Sequence, residues 1–410
     1  MEPILLALGV TLLPIYSFKS GTVQYAHVVL AFFMLVRFAH QRTKLTRPEG
    51  ALLCLTLLSF IVESFAVATG APVLSMLEPA YLAFNTLIVI TFMRIPLNEP
   101  NFRIALIGAL VASTVIATVS VWYYGASLTV IKSGWERSVG LFNNPNQQAY
   151  FAVCISSIAG LLYLRGILSR NVCLFLWASC MILVMVAVSR ASSAAMIALL
   201  AFGFASFANR DRMSPLVVIG AVGVILAVWL AYSYGMLDSL QFVQRIKDTT
   251  GLQRNDSLVY RGYTIPFHDP ISFLFGEGAE KARVGSMFHR IEVHSTWWSF
   301  MGKYGVIGFM LWMGVWLAWS RAIFRERGTL GLLIVVMPQI INGITQNNSR
   351  FTPLWILIGL SLNTTLLRSE LGPAKWIPRR FGNLVGGPGP RPISAMAGVG
   401  QGPRPGHPDG

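Results

Sequence analysis

The chain has 410 residues, of which 54% are hydrophobic and only 12% charged, a balance that excludes an ordinary water-soluble globule. Its net charge of +15 is not laid out as a nucleic-acid surface. The positive residues sit in short loops between apolar runs and in the tail, so no nucleic-acid partner is expected.

Crossing the hydrocarbon takes about 20 apolar residues per helix. Irregular backbone exposed to lipid cannot cross, so each such run is expected to be helical. In chain order the runs fall at roughly 3–18, 22–38, 51–69, 73–93, 104–124, 147–164, 172–188, 192–208, 214–234, 294–318, 329–346 and 352–367. This predicts an all-α polytopic membrane protein of about twelve spans. The first run has no basic segment before it and no A-x-A-like site after it, and reads as a retained helix. Cys54, Cys154, Cys173 and Cys180 all fall inside apolar runs without metal-ligand spacing, which predicts lipid-buried or packed thiols and neither disulfides nor ligands.

Alternate loops separate by charge. One side holds Arg37, Arg42, Lys44, Arg47, Arg94, Arg103, Arg165, Arg170, Arg210, Arg212, Arg321, Arg325 and Arg327; the short loops of the other hold Lys19, Lys132, Arg137, Arg190 and Arg350. The excess of positive charge on cytoplasmic loops then puts both termini in the cytoplasm. It also places the one long loop, about 235–293, outside, where Tyr260, Tyr263, Phe267, Phe273, Phe275 and the turn Gly276-Glu277-Gly278 suggest a folded cap with short amphipathic helices. Residues 1–378 are expected to form the membrane domain. The Pro- and Gly-rich segment 379–410 is expected to be a disordered cytoplasmic tail.

With that sidedness, several polar residues gather at the outer face. His294 precedes Ser295 at the start of the tenth span. Histidine is the side chain whose ordinary pKa lies near neutrality, so it can take a proton from a hydroxyl and release it; it could equally anchor a helix end at the headgroups. Arg190 lies in a tight turn between two apolar runs, either as an anion-binding cation or snorkelling to lipid phosphates. Arg137, Arg254, Arg261 and Arg350 also lie in outer loops; guanidinium groups hold phosphate oxygens bidentately, whereas each alone is a common solvated loop charge. Asn146, within Asn143-Asn144-Pro145-Asn146, suits a sugar hydroxyl or a helix cap. Lys303, about 14 Å below His294 along a helix, could pair with Glu63 or Glu78, line a polar cavity or reach the mouth. Gly305 and Gly308 share a helix face, as small residues do where helices approach closely. There is no phosphate-binding Gly-Lys loop, no H-E-x-x-H, no C-x-x-C and no G-x-S-x-G, so neither a metal nor a cofactor is expected.

Taken together these residues resemble the bacterial O-antigen ligase and Wzy-type polysaccharide polymerase superfamily. Its pattern is His followed by Asn, Ser or Gln, nine free positions, then Gly-x-x-Gly, Thr or Tyr, and His294-Ser295 with Gly305-Val306-Ile307-Gly308 matches it. Looser likenesses lie in Gly140–Asn146, in Ser189–Ser193, in Arg261 ahead of Phe273–Gly278, and in the late large outer loop. The resemblance implies a metal-independent glycosyltransferase of the bacterial inner membrane with a periplasmic active site. Its donor is a polyprenyl-diphosphate-linked glycan; its acceptor is a lipid-A core, another repeat unit or a protein hydroxyl. By analogy His294 deprotonates the acceptor, and Arg190 and Arg261 hold the donor diphosphate. The competing expectation is a transporter or flippase for lipid-linked glycans without covalent chemistry, which has no use for a base and is marked by discontinuous helices repeated in both halves. A membrane scaffold explains neither the long loop nor the arginines.

Overall fold

Proline and short polar caps set where the helices begin. The computed structural model describes residues 1–18, 22–40, 45–124, 139–210, 269–280 and 295–363. Along these run α1 (Glu2–Thr11), α2 (Tyr25–His40), α3 (Arg47–Ala68), a 3-10 turn (Val73–Met76) leading into α4 (Leu77–Phe92), α5 (Pro100–Tyr123), α6 (Pro145–Leu164), α7 (Arg170–Ala187) and α8 (Arg190–Arg210). There follow the short α9 (Pro270–Phe275), the long α10 (Thr296–Gly331), a π-helical turn (Leu332–Val336), α11 (Met337–Thr345) and α12 (Thr352–Ser361). Proline occupies the first turn of α1, α3, α5, α6, α9, α11 and α12, where its missing N–H costs nothing. Among the described residues no strand occurs.

Among the described residues, seven helical stretches are long and apolar enough to cross a bilayer: Arg47–Ala68, Val73–Phe92, Pro100–Tyr123, Pro145–Leu164, Arg170–Ala187, Arg190–Phe207 and Thr296–Ile344. α1, α2 and α12 are shorter apolar helices. α6 is buried from Gln148 to Leu164 and α12 along all ten residues, so these two form the centre. The surrounding helices turn large apolar side chains outward, among them Leu57 (62% exposed), Phe65 (69%), Ile104 (67%) and Leu317 (63%). A surface of that kind belongs in lipid, and the chain is a helical membrane protein.

Three departures from the sequence expectations have local causes. The first run was expected to be helical over 3–18, but α1 ends at Thr11; Pro14 lacks an N–H and disfavours helix in the residue before it. The runs 294–318 and 329–346 are joined in one helical stretch, with the break between them at Gly328 (φ 64°, ψ −158°). Gly305 does not share a helix face with Gly308, because the helix breaks at Gly305 itself (φ 63°, ψ −166°). The expected span 214–234 and tail 379–410 lie outside the described residues.

The helix ends rich in arginine are closed by buried ion pairs. Arg37 pairs with Glu2 at 2.8 Å and donates to the Arg94 carbonyl at 2.9 Å, while Arg94 pairs with Glu49 at 2.5 Å. Arg165 forks onto both carboxylate oxygens of Glu326 (2.8 and 2.7 Å) and donates to the last carbonyls of α12, Leu360 (2.6 Å) and Ser361 (2.8 Å). Asn363 satisfies the carbonyls of Phe92 and Ile95 at the same end. Cys154, Cys173 and Cys180 are buried free thiols and Cys54 is exposed on the helical surface, in line with the expectation of unpaired cysteines.

Candidate functional site

The opposite end of the bundle carries a polar cavity of about 240 Å³. Six amides line it, Asn144, Asn146, Gln147, Gln346, Asn347 and Asn348, together with Tyr16, Tyr81, Tyr150, Phe351, His27 and Arg350. The starts of α2, α4, α6 and α12 and the end of α11 meet here, so the wall is built of helix termini and short turns. Asn144, and not Asn146, caps α6, accepting from the Gln147 N–H at 2.9 Å; Asn146 stands one residue inside the helix and faces the cavity. Amides and tyrosines set side by side suit a ligand rich in hydroxyls, which both donates and accepts.

A charged cluster lies under this wall. Glu78, nine-tenths buried at the start of α4, receives Arg350 on one oxygen and Lys303 Nζ on the other at 3.3 Å. Lys303 pairs with Glu78, one of the alternatives open for it, and also lines a small cleft with Ser299, Tyr304 and Arg350. Burial draws the Arg350 guanidinium below its ordinary value and the Glu63 carboxylate opposes the shift, leaving a cation at neutral pH.

The start of α10 is tied to the cavity wall. Ser295 caps the helix by accepting from the Trp298 N–H (3.4 Å) and donates to the Gly343 carbonyl (3.3 Å). The Thr296 N–H and hydroxyl both donate to the Gln346 carbonyl (3.0 and 2.9 Å), and the Asn348 N–H donates to the Thr296 hydroxyl (2.9 Å). Asn348 donates to Asn342 (2.8 Å), Asn342 to the Ser192 hydroxyl (2.7 Å), and Ser189 to Ser192 (3.3 Å). A continuous buried network therefore joins the turn that carries Arg190 to the residues that follow His294. Fully paired polar networks of this kind fix relative positions in a dry interior.

Gly305 of the motif seats the cap segment together with Gly276. Asp269 caps α9, accepting from Ile271 (2.8 Å) and Ser272 (2.9 Å). After it, Gly276 and Gly278 have positive φ (84° and 80°), the turn expected from the sequence. A side chain at Gly305 would put its Cβ 2.4 Å from the Leu274 carbonyl and 2.6 Å from the Gly276 nitrogen, and one at Gly276 would lie 2.2 Å from the Lys303 carbonyl. The two glycines thus let the α9 turn seat in the break of α10. Glu277 N–H donates to Gly302 (3.5 Å) and Ala279 N–H to the Glu63 carboxylate (2.6 Å). Gly308 packs on α3, where an added Cβ would stand 3.5 Å from Leu58 Cδ2 and 2.2 Å from Tyr304 Cβ of its own helix.

Of the residues singled out in the sequence, Asn146 and Arg350 line the cavity, and Ser295 and Lys303 support its wall. Arg190 is attached to the same network through Ser189 and Ser192. His294, Arg137, Arg254 and Arg261 lie outside the described residues. His27 and Tyr81, which line the cavity, were missed. His27 Nδ1 accepts the Gln24 N–H at 3.1 Å, so its proton sits on Nε2, 3.4 Å from the Thr352 hydroxyl, which in turn donates to Asn85 at 3.2 Å. His27 is therefore a neutral donor and not a free base. The available signal was its place among apolar residues early in a predicted span.

Neither a family model nor a curated protein matches the chain.

Proposed function

We propose that the chain transfers a polyprenyl-diphosphate-linked oligosaccharide to an acceptor hydroxyl at the outer face of a bacterial cytoplasmic membrane, as an O-antigen ligase or as an O-antigen or exopolysaccharide polymerase. The domain that does so has about twelve spans, with both termini in the cytoplasm. One observation carries the reading. Thr296, two residues beyond His294, is bonded through its N–H and hydroxyl to Gln346, a residue of the amide- and tyrosine-lined cavity. A base at the start of α10 and a cavity suited to hydroxyls are what such a transfer needs in one place.

His294 takes the proton of the acceptor hydroxyl as that oxygen attacks the anomeric carbon. The bond from this carbon to the diphosphate oxygen breaks, and the polyprenyl diphosphate departs with the electron pair. Arg190 and Arg261 neutralise the charge that builds on it, a role that fixed guanidinium groups perform best away from water. The imidazolium then returns its proton to solvent. Asn146 and Arg350 hold hydroxyl groups of the glycan, and Arg137 and Arg254 add positive charge in the outer loops.

The test is in vitro transfer from a lipid-linked donor with the product resolved by size. His294→Ala should lower the rate by roughly 10²–10⁴-fold while inserting normally into membranes. A rate close to wild type would overturn the assignment of the base. In the active protein a single added unit marks a ligase, and a ladder marks a polymerase.

A further inference from the structure

The polar cavity does not end at its polar wall. A second hollow of about 320 Å³ lies between α2 and α4 on the outside of the bundle, and its lining is almost wholly apolar. His27 and Tyr81 line both. Beyond them the groove is formed by Ala31, Leu35, Ala80 and Phe84. The two alanines keep its floor low, and the His27 ring packs on Phe84 at 5.3 Å and Tyr81 at 6.2 Å between centroids. Both helices start at the cavity end, so the groove runs from the cavity along the membrane-facing surface. From His27 to Leu35 it covers about 12 Å of helix rise. At the junction the Tyr81 hydroxyl is buried and has no hydrogen-bond partner among the described residues, and Asn85 Nδ2, one turn further on, has none either. A buried donor left without a partner is destabilising, and a ligand hydroxyl would supply one.

We infer that this composite site binds a glycolipid, with its sugar hydroxyls in the amide-lined cavity and its hydrocarbon chain in the groove between α2 and α4. Tyr81 and His27 Nε2–H stand at the boundary between the two parts of the ligand. The inference rests on the proposed transfer only for which glycolipid is bound: the diphosphate-linked donor, or a membrane-anchored acceptor. Binding itself is independent of catalysis.

The experiment uses the full chain in lipid nanodiscs and a long-chain alkyl diglycoside carrying a diazirine on its tail. Photolabelling is mapped by peptide mass spectrometry. Label is expected on peptides of α2 and α4. Ala31→Trp, which fills the groove at a distance from the cavity, should reduce it at least tenfold, with Ala31→Val intermediate and both variants keeping the wild-type unfolding midpoint. Unlabelled polyprenyl-diphosphate glycan and a phosphate-free glycolipid serve as competitors; stronger competition by the first identifies the donor, and by the second an acceptor. Equal labelling by a diazirine-tailed phosphatidylglycerol would overturn the site as ordinary bulk lipid. So would competition by the lipid-free sugar as strong as that by the glycolipid. Specific labelling without any transfer product would leave this site standing and count against the transferase reading.

Discussion

Replacing Gly305 by alanine tests how the cap segment is held. The glycine sits at φ 63° and ψ −166°, a region that residues with a Cβ avoid at a cost of about 1–3 kcal/mol. The new methyl would also stand 2.4 Å from the Leu274 carbonyl and 2.6 Å from the Gly276 nitrogen; overpacking of this kind costs about 1–3 kcal/mol more. Against this total of about 2–6 kcal/mol stand chiefly two docking hydrogen bonds among the described residues. One is the long Glu277–Gly302 contact and the other is Ala279 N–H on the Glu63 carboxylate, together about 2–4 kcal/mol. α9 buries no residue fully, with Ile271 at 70% exposed, so packing adds little to hold it. The weaker partner yields: α9 should undock while α10 survives. Hydrogen exchange read by mass spectrometry should show the amides of Gly276–Ala279 exchanging at least tenfold faster, with only a small change in the thermal midpoint. Wild-type protection of these amides would show that α10 absorbs the methyl and that the glycine is not what seats the cap.

Arg190→Lys should lose at least tenfold in transfer rate, since an ammonium cannot reproduce a two-pronged phosphate contact; an unchanged rate would leave Arg190 as a lipid-phosphate anchor. Arg165→Met should destabilise the bundle by about 3–5 kcal/mol, because it leaves Glu326 buried without its principal partner. Adding Glu326→Leu should recover only part of this, since the carbonyls of Leu360 and Ser361 remain unmet; full recovery in detergent unfolding would contradict the clamp. Glu78→Leu should cost more than Lys303→Met, as it removes the carboxylate that two cations share, whereas the lysine change leaves Glu78 with Arg350; its cost falls toward the lower part of the roughly 3–5 kcal/mol range, because Glu63 still acts on both cations and Arg350 is 32% exposed. Millimolar EDTA should leave transfer unchanged, and a loss reversed by added divalent cation would refute the metal-free leaving-group argument.

The helices were readable in the chain because their signal is local: apolar runs of membrane length, Pro at first turns and Asn, Ser or Asp just before them. Of the arginines assigned to alternate loops, Arg37, Arg94 and Arg165 lie at one end of the bundle and Arg350 at the other. The pairing of Lys303 with Glu78 was one of a few candidates, since a buried cation needs a carboxylate and the membrane segments hold few. What was not readable depends on distant partners. Gly305 looks like any small residue in a helix until Leu274 and Gly276 come against it. His27 and Tyr81 are polar interruptions of apolar runs, and only the packing of α2 on α4 turns them into a shared edge between an oily groove and a polar cavity. Asn144 was passed over as the cap because Asn146 offers the same side chain two residues later; the intervening Pro145 decides it by opening the helix.

α1 and α12 each have ten residues, a rise of about 15 Å, or half of a hydrocarbon layer about 30 Å thick. Tyr16 follows the end of the first and Phe351 precedes the start of the second, and both line the cavity. The hollow thus takes up part of the depth that further turns of each helix would have filled. A sugar bound in such a hollow, as proposed above, would leave much of its competing water behind. In the proposed transfer, an activated glycosyl group held there would be shielded from hydrolysis by the shortness of two helices, before any side chain acts on it.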